Sequence, residues 1–175
     1  ALSPGNTHLY AVSEVDKYHG RLAGAVFSYS ISQNSGLLTY VNQQSTLGPG
    51  PCHLAVDATG KHLIVANYEG GSVCVLPINA DGSLGSASAF IQHQGSSVDL
   101  NRQTQPHAHS VNLDPNNRFV YVPDLGMDKV MIYRLDPNSG NLIGNNPGFV
   151  EVEPGSGPRH FAFHPKAKYA YVLNE

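Results

Sequence analysis

Residues Pro106 to Val130 read PHAHSVNLDPNNRFVYVPDLGMDKV, and residues Gly157 to Glu175 read GPRHFAFHPKAKYAYVLNE. Each begins with His or Arg beside a small residue or proline, continues into an apolar strand, turns, and returns in a second apolar strand ending on a polar residue. A hairpin that recurs with basic side chains at its entrance marks a repeat scaffold whose copies aim chemistry at a shared centre.

The repeat extends over the rest of the chain. Apolar runs with a polar last residue occur at His8 to Ser13, His62 to Asn67, Phe119 to Asp124 and Tyr169 to Asn174. Their last residues lie 54, 57 and 50 positions apart, close to the roughly 40 to 50 residues of a propeller blade and too irregular for a solenoid. Within the third copy, strands at Ser110 to Leu113, Arg118 to Val122 and Lys129 to Leu135 are separated by Asp114-Pro115-Asn116-Asn117 and Leu125-Gly126-Met127-Asp128. A further turn, Asp136 to Gly140, leads to a more polar segment from Asn141 to Glu153. Pro at the second turn position presets φ, and Asn, Ser and Gly supply local hydrogen bonds or positive φ, so these connections are those of a meander. The second copy repeats the order at His53 to Val56, His62 to Ala66, Ser72 to Ile78 and Leu84 to Gln92. No long window carries a helical period. The fold class is all-β, a propeller of four-stranded antiparallel blades, with helix nearly absent.

About thirteen strands make a little over three blades by the four-stranded pattern, too few to close a ring. The chain also opens within a unit, at a first turn spanning Ala1 to Asn6, and stops after a second strand. Residues 1–175 are therefore expected to be one partial propeller domain, truncated at both ends. By itself such a piece would be aggregation-prone, since each cut edge leaves strand groups unpaired.

Composition sets outer limits. The chain is 41% hydrophobic with 18 Gly and 12 Pro, which suits a compact β protein rich in turns, and its formal charge of −3 without a basic cluster argues against nucleic acid as partner. No run is long enough to span a bilayer. Cys52 and Cys74 fall in different strands without metal-ligand spacing and read as free, buried thiols in a reducing compartment, hence a cytoplasmic location.

In an antiparallel hairpin the start of the first strand meets the end of the second. Closing each hairpin brings Arg159 and His160 beside Asn174 and Glu175, His107 and His109 beside Asp124 and Leu125, and Cys52 and His53 beside Asn67 and Tyr68. One rim collects His53, Asn67, His107, His109, Asp124, Arg159, His160 and Glu175. For a single His the bland alternative is a satisfied cap at a strand end, but recurrence in three units favours a shared site. His107 and His109 share a strand face and could offer two imidazoles to one metal, yet H-x-H alone is weak support, and no metal or other cofactor is expected. An acid–base reading asks for less: His109 and Glu175 as proton-transfer groups, and Arg159 as the anchor of an anionic substrate. Phosphate-loop and nucleophile-elbow motifs are absent from the sequence, and the insertion from Gly95 to Gln105 reads as a rim loop.

Several of these segments carry a resemblance. Pro51-Cys52-His53 with Asp57, Ala66-Asn67-Tyr68, Gly70-Gly71-Ser72-Val73, His93-Gln94-Gly95-Ser96-Ser97, Pro106 to Ser110, Pro123-Asp124-Leu125-Gly126 with Asp128, and Gly157 to Pro165 ending in Asn174-Glu175 resemble, in order, the propeller-type lactonase family. That family includes 6-phosphogluconolactonases and 3-carboxy-cis,cis-muconate lactonizing enzymes. The resemblance implies seven blades and hydrolysis of a small anionic sugar lactone, above all 6-phosphogluconolactone in the pentose phosphate pathway, without a required metal. It further implies a His, an Arg and a Glu at the site, which match His109 (with His107 as the alternative), Arg159 and Glu175, and a second Arg with no counterpart in residues 1–175. His53, His107, His160, Asp124 and Asn67 are then candidate substrate-binding groups. The rival readings are a lactonizing enzyme, a metal-dependent lactonase of another propeller type, and a docking scaffold without catalysis.

Overall fold

The computed structural model describes residues 1–166 and 168–175. Its first sheet is formed by β1 (His8–Ser13), and after a short hairpin of β2 (Lys17–Tyr18) and β3 (Arg21–Leu22), by β4 (Ala25–Ile31) and β5 (Leu38–Ser45). The second contains β6 (Pro51–Val56), β7 (His62–Asn67), β8 (Ser72–Pro77) and β9 (Ala89–Gln92), paired in that order. The third contains β10 (Asn112–Leu113), β11 (Phe119–Asp124), β12 (Lys129–Leu135) and β13 (Leu142–Glu151), and the fourth is the hairpin of β14 (Pro158–Phe163) and β15 (Ala170–Asn174). All pairings are antiparallel, and no helix occurs among the described residues. The turn expected over Pro165 to Lys168 includes position 167, which lies outside the described residues.

The period-2 alternation of a strand explains how these sheets stack. Along β7, Leu63 and Val65 face the first sheet, where they pack with Tyr10, Val26, Cys74 and Leu76. Ile64 and Ala66 face the third and join Val73, Val75, Val111, Val120, Val122 and Tyr133. The second sheet is thus covered on both faces, which is why HLIVAN is an apolar run rather than an alternating one. Each fully buried Leu, Ile or Val in these seams contributes about 1.5–3 kcal/mol.

Aspartates fix the first turn of the blades. Asp57 Oδ1 accepts the backbone N–H groups of Lys61 and His62, both at 2.8 Å, and Asp114 Oδ1 those of Arg118 and Phe119, both at 2.6 Å. Asn117 then ties one blade to the next, donating to Asp57 Oδ2 and accepting from Ala58 N.

Two strands are shorter than the sequence suggests. The expected strand from Ser110 keeps regular pairing only at Asn112–Leu113, with a lone bridge between Ala108 and Asp124 upstream. The reason is competition for the donor: Val111 N–H points to His53 Nδ1 of the preceding blade at 3.3 Å. Leu84 likewise makes only an isolated bridge with Ile78, and regular pairing resumes at Ala89. Both cysteines are free, Cys74 inside the seam of the first two sheets and Cys52 half-buried at the rim.

Candidate active site

Three blades can be superimposed through one hydrogen bond at the same rim. Tyr68 N–H donates to Gly50 O at 2.7 Å, Leu125 N–H to His107 O at 2.9 Å, and Glu175 N–H to Gly157 O at 2.9 Å. Two residues after each acceptor the side chain is Cys52, His109 or Arg159. In two of the blades that residue is an interruption of the ladder, since the register skips between Pro51 and His53 and between Pro158 and His160. A bulge re-aims the side chain it carries. The result is that Cys52, His109 and Arg159, from successive blades, line a single pocket of about 420 Å³.

Glu175 and Tyr68 enter this pocket from equivalent strand ends, His160 follows Arg159, and Glu14 comes from the first blade. Arg102 completes the lining from the Gly95–Gln105 insertion. Nothing in the repeat announces Arg102, because the insertion has no counterpart in the other copies; its only signal is a cation in a loop expected at the rim.

The ionisable groups form a chain. Arg159 Nε–H lies 3.0 Å from His109 Nε2 and 3.0 Å from Glu175 Oε2, while Arg102 Nη2 reaches Glu175 Oε1 at 2.7 Å. The hydrogen bond from Arg102 holds the Glu175 carboxyl below the usual range, with the nearby positive charges of Arg102 and Arg159 adding to it. Burial lowers the pKa of His109, and the Arg159 charge lowers it further. His109 is therefore neutral at pH 7, with Nε2 as the acceptor toward Arg159 and Nδ1 buried without a partner. Burial, followed by the charge of Glu14, pushes the Cys52 thiol up to about 12, so it is no nucleophile at neutral pH.

The three residues expected to do chemistry, His109, Arg159 and Glu175, are thus brought together. Of the five expected to bind substrate, His160 lines the pocket, and the other four lie outside its lining. Asp124 is fully buried and its carboxylate is filled by His93 Nδ1 at 2.6 Å and the backbone N–H groups of His107 and Gly126 at 2.8 and 3.1 Å. His93 in turn meets Tyr133 Oη through Nε2 at 2.9 Å, which closes a buried Tyr–His–Asp chain beneath the rim. Asn67 is fully buried and donates to Thr46 O and Ser72 Oγ. His53 turns into the seam between blades, where burial, and then the neighbouring His160 and His109, lower its pKa to about 4. His107 stacks on Tyr68 at 4.5 Å between ring centroids and places Nδ1 3.1 Å from Tyr68 O, bracing that ring from behind. Of the two imidazoles only that of His109 lines the pocket, while both pack against the Tyr68 ring.

A larger cleft of about 580 Å³ opens at the opposite end of the first two sheets, beside His8, Lys61 and His62. It has no carboxylate in its lining, and so lacks the mixed acid, base and cation set found at the rim.

Comparison with known proteins follows the same line. Residues 1–175 match the family model described as Lactonase, 7-bladed beta-propeller. The chain is 40% identical over 175 residues to the 6-phosphogluconolactonase of Bacillus subtilis, covering all of this chain and 47% of that protein. It is 34% identical to the 6-phosphogluconolactonase of Formosa agariphila, covering 99% of this chain and 49% of the relative. Among solved structures, the periplasmic gluconolactonase of Pseudomonas aeruginosa superimposes with a TM-score of 0.90 at 36% identity, over 98% of this chain and 49% of that one. The chain spans about half the length of the curated relatives it matches.

Proposed function

This chain belongs to the lactonase family of seven-bladed β-propellers, and from that premise we propose that its rim pocket hydrolyses a sugar lactone, with 6-phosphogluconolactone as the substrate. The observation that carries the reading is the placement of Arg159 Nε at 3.0 Å from both a neutral imidazole and a carboxylate in one open pocket. Hydrolysis of a lactone needs a base for the attacking water, a donor for the developing oxyanion and a proton for the departing ring oxygen.

His109 is the base. Its lowered pKa leaves Nε2 unprotonated at neutral pH, and an anionic or carbonyl oxygen that engages Arg159 frees that nitrogen to take the proton of water. The water oxygen bonds to the carbonyl carbon, and the oxyanion is held by the Arg159 guanidinium. The C–O bond to the ring oxygen then breaks, and the proton carried by His109 passes to that oxygen. The product is the open-chain hydroxy acid, whose carboxyl group then releases its proton to water. Glu175 remains ionised through its bond to Arg102 and orients both arginines rather than supplying a proton. His160 and Glu14 offer acceptors and donors to the sugar hydroxyls.

No helix among the described residues is long and apolar enough to cross a membrane. Two unbridged cysteines fit a reducing compartment, which supports a cytoplasmic enzyme.

The test is hydrolysis of 6-phosphogluconolactone by the full-length protein beside its Arg159→Ala and His109→Ala variants. Losing the oxyanion donor is expected to lower kcat by about 10²–10³ and losing the base by about 10²–10⁴. Equal rates in all three proteins remove both residues from the mechanism.

A further inference from the structure

Arg102 enters the chemistry just described only as the partner of Glu175, yet it is held in the pocket by more than its own side chain. The loop that carries it is pinned at two points. Gln103, only 2% exposed, donates from Nε2 to Leu125 O at 2.8 Å and accepts from Asp99 N through Oε1 at 3.0 Å. Ser97 Oγ, six residues before Gln103, donates to Asp128 Oδ2 at 2.5 Å. Arg102 is therefore presented by a folded loop, with its backbone N–H bonded to Asp99 O at 3.2 Å. An exposed arginine on a loose loop would need none of this.

The two arginines bind different oxygens of one carboxylate. Arg159 touches His109 and is thereby tied to the reacting end. Arg102 approaches the other oxygen of Glu175 and lies 3.5 Å from Tyr68 Oη. Two guanidiniums and two carboxylates, Glu14 and Glu175, line the pocket, and the Arg102 guanidinium meets Glu175 and Tyr68 through Nη2 alone. A guanidinium has donors to spare after one bond to a carboxylate and fits a phosphate with two parallel hydrogen bonds.

Resting on the lactonase reading of this site, we propose that Arg102 is its specificity-determining residue: it grips the phosphate remote from the lactone carbonyl and so selects phosphorylated over unphosphorylated sugar lactones. The insertion from Gly95 to Gln105 is then the element that sets substrate choice on a rim otherwise built by the repeat.

Steady-state kinetics of the full-length protein test this, with 6-phosphogluconolactone and glucono-lactone as paired substrates and Arg102→Ala and Arg102→Lys as variants. Removing Glu175's partner affects both substrates, so the quantity read is the ratio of the two kcat/KM values. Arg102→Ala is expected to lower that ratio about tenfold or more, chiefly through KM for the phosphorylated lactone, and Arg102→Lys to recover part of it. A parallel measurement of 6-phosphogluconate binding by calorimetry should give a Kd raised by a similar factor in Arg102→Ala. If both lactones lose equally, Arg102 only holds Glu175 and the proposal fails while the lactonase reading stands. If the wild-type protein hydrolyses neither lactone but binds 6-phosphogluconate through Arg102, the lactonase reading fails and the phosphate subsite stands.

Discussion

Removing the Asp124 carboxylate should cost far more stability than neutralising it. Asp124 accepts three hydrogen bonds where no water reaches: from His93 Nδ1, His107 N and Gly126 N. Alanine leaves three buried donors without acceptors, at about 1–3 kcal/mol each, so the loss is at least about 3 kcal/mol. Asparagine keeps an amide oxygen for the two backbone donors and turns its amide N–H toward His93. The imidazole can adapt by accepting at Nδ1 and donating at Nε2 to Tyr133, so only the charge assistance is lost, about 1–2 kcal/mol. At about 2 °C per kcal/mol, the lower end of the scale, which suits a large chain, the thermal midpoint falls by about 6 °C or more in Asp124→Ala and by about 2–4 °C in Asp124→Asn. Thermal scanning of the full-length protein by circular dichroism reads the midpoints, and amide hydrogen exchange at His107 and Gly126 reads the local effect. The reasoning is refuted if Asp124→Asn is as costly as Asp124→Ala, or if both melt within a degree of the wild type.

Other outcomes follow from the same geometry. The acid limb of kcat/KM should have its midpoint below that of an ordinary imidazole, since burial and Arg159 lower the pKa of His109; activity is lost as pH falls through that midpoint, and His109→Gln should remove the limb in a pH-rate profile. Asp128 is held below the usual carboxylate range because hydrogen bonds from Ser97, Gly155 and Gly157 outweigh the opposing effect of burial. Its folded pKa lies under the unfolded one, so its contribution is complete above about pH 4 and disappears as pH falls toward the folded value; Asp128→Asn should flatten that part of the stability curve in urea titrations. A Cβ on Gly126 would stand 1.9 Å from Gln105 O, so Gly126→Ala must displace the base of the Arg102 loop, and both the melting temperature and the activity on 6-phosphogluconolactone should drop.

The hairpin rule read from sequence correctly joined the strand ends that carry His109, Arg159 and Glu175, because antiparallel pairing leaves little choice about which ends meet. It could not say which way each side chain points. His107 and His109 both lie at that rim, and only the blade-to-blade register separates them: His107 stands where the other copies have Gly50 and Gly157, whereas His109 stands with Cys52 and Arg159. Aligning the copies residue by residue in the sequence exposes this difference, through Pro51-Cys52, Ala108-His109 and Pro158-Arg159. Asp124 and Asn67 end equivalent strands, at the right height for a site, but their side chains enter the seam and satisfy backbone and neighbouring groups there.

The sequence alone determined the all-β class, the blade period, the free cysteines and the rim on which ionisable groups gather, since each depends on local turn chemistry and on the alternation of side chains along a strand. Only the tertiary structure decided which of those groups share a pocket. That choice depends on where a bulge turns a side chain, on which donors a neighbouring blade intercepts, and on a loop that folds Arg102 back over Glu175, all of them contacts between residues far apart in the chain.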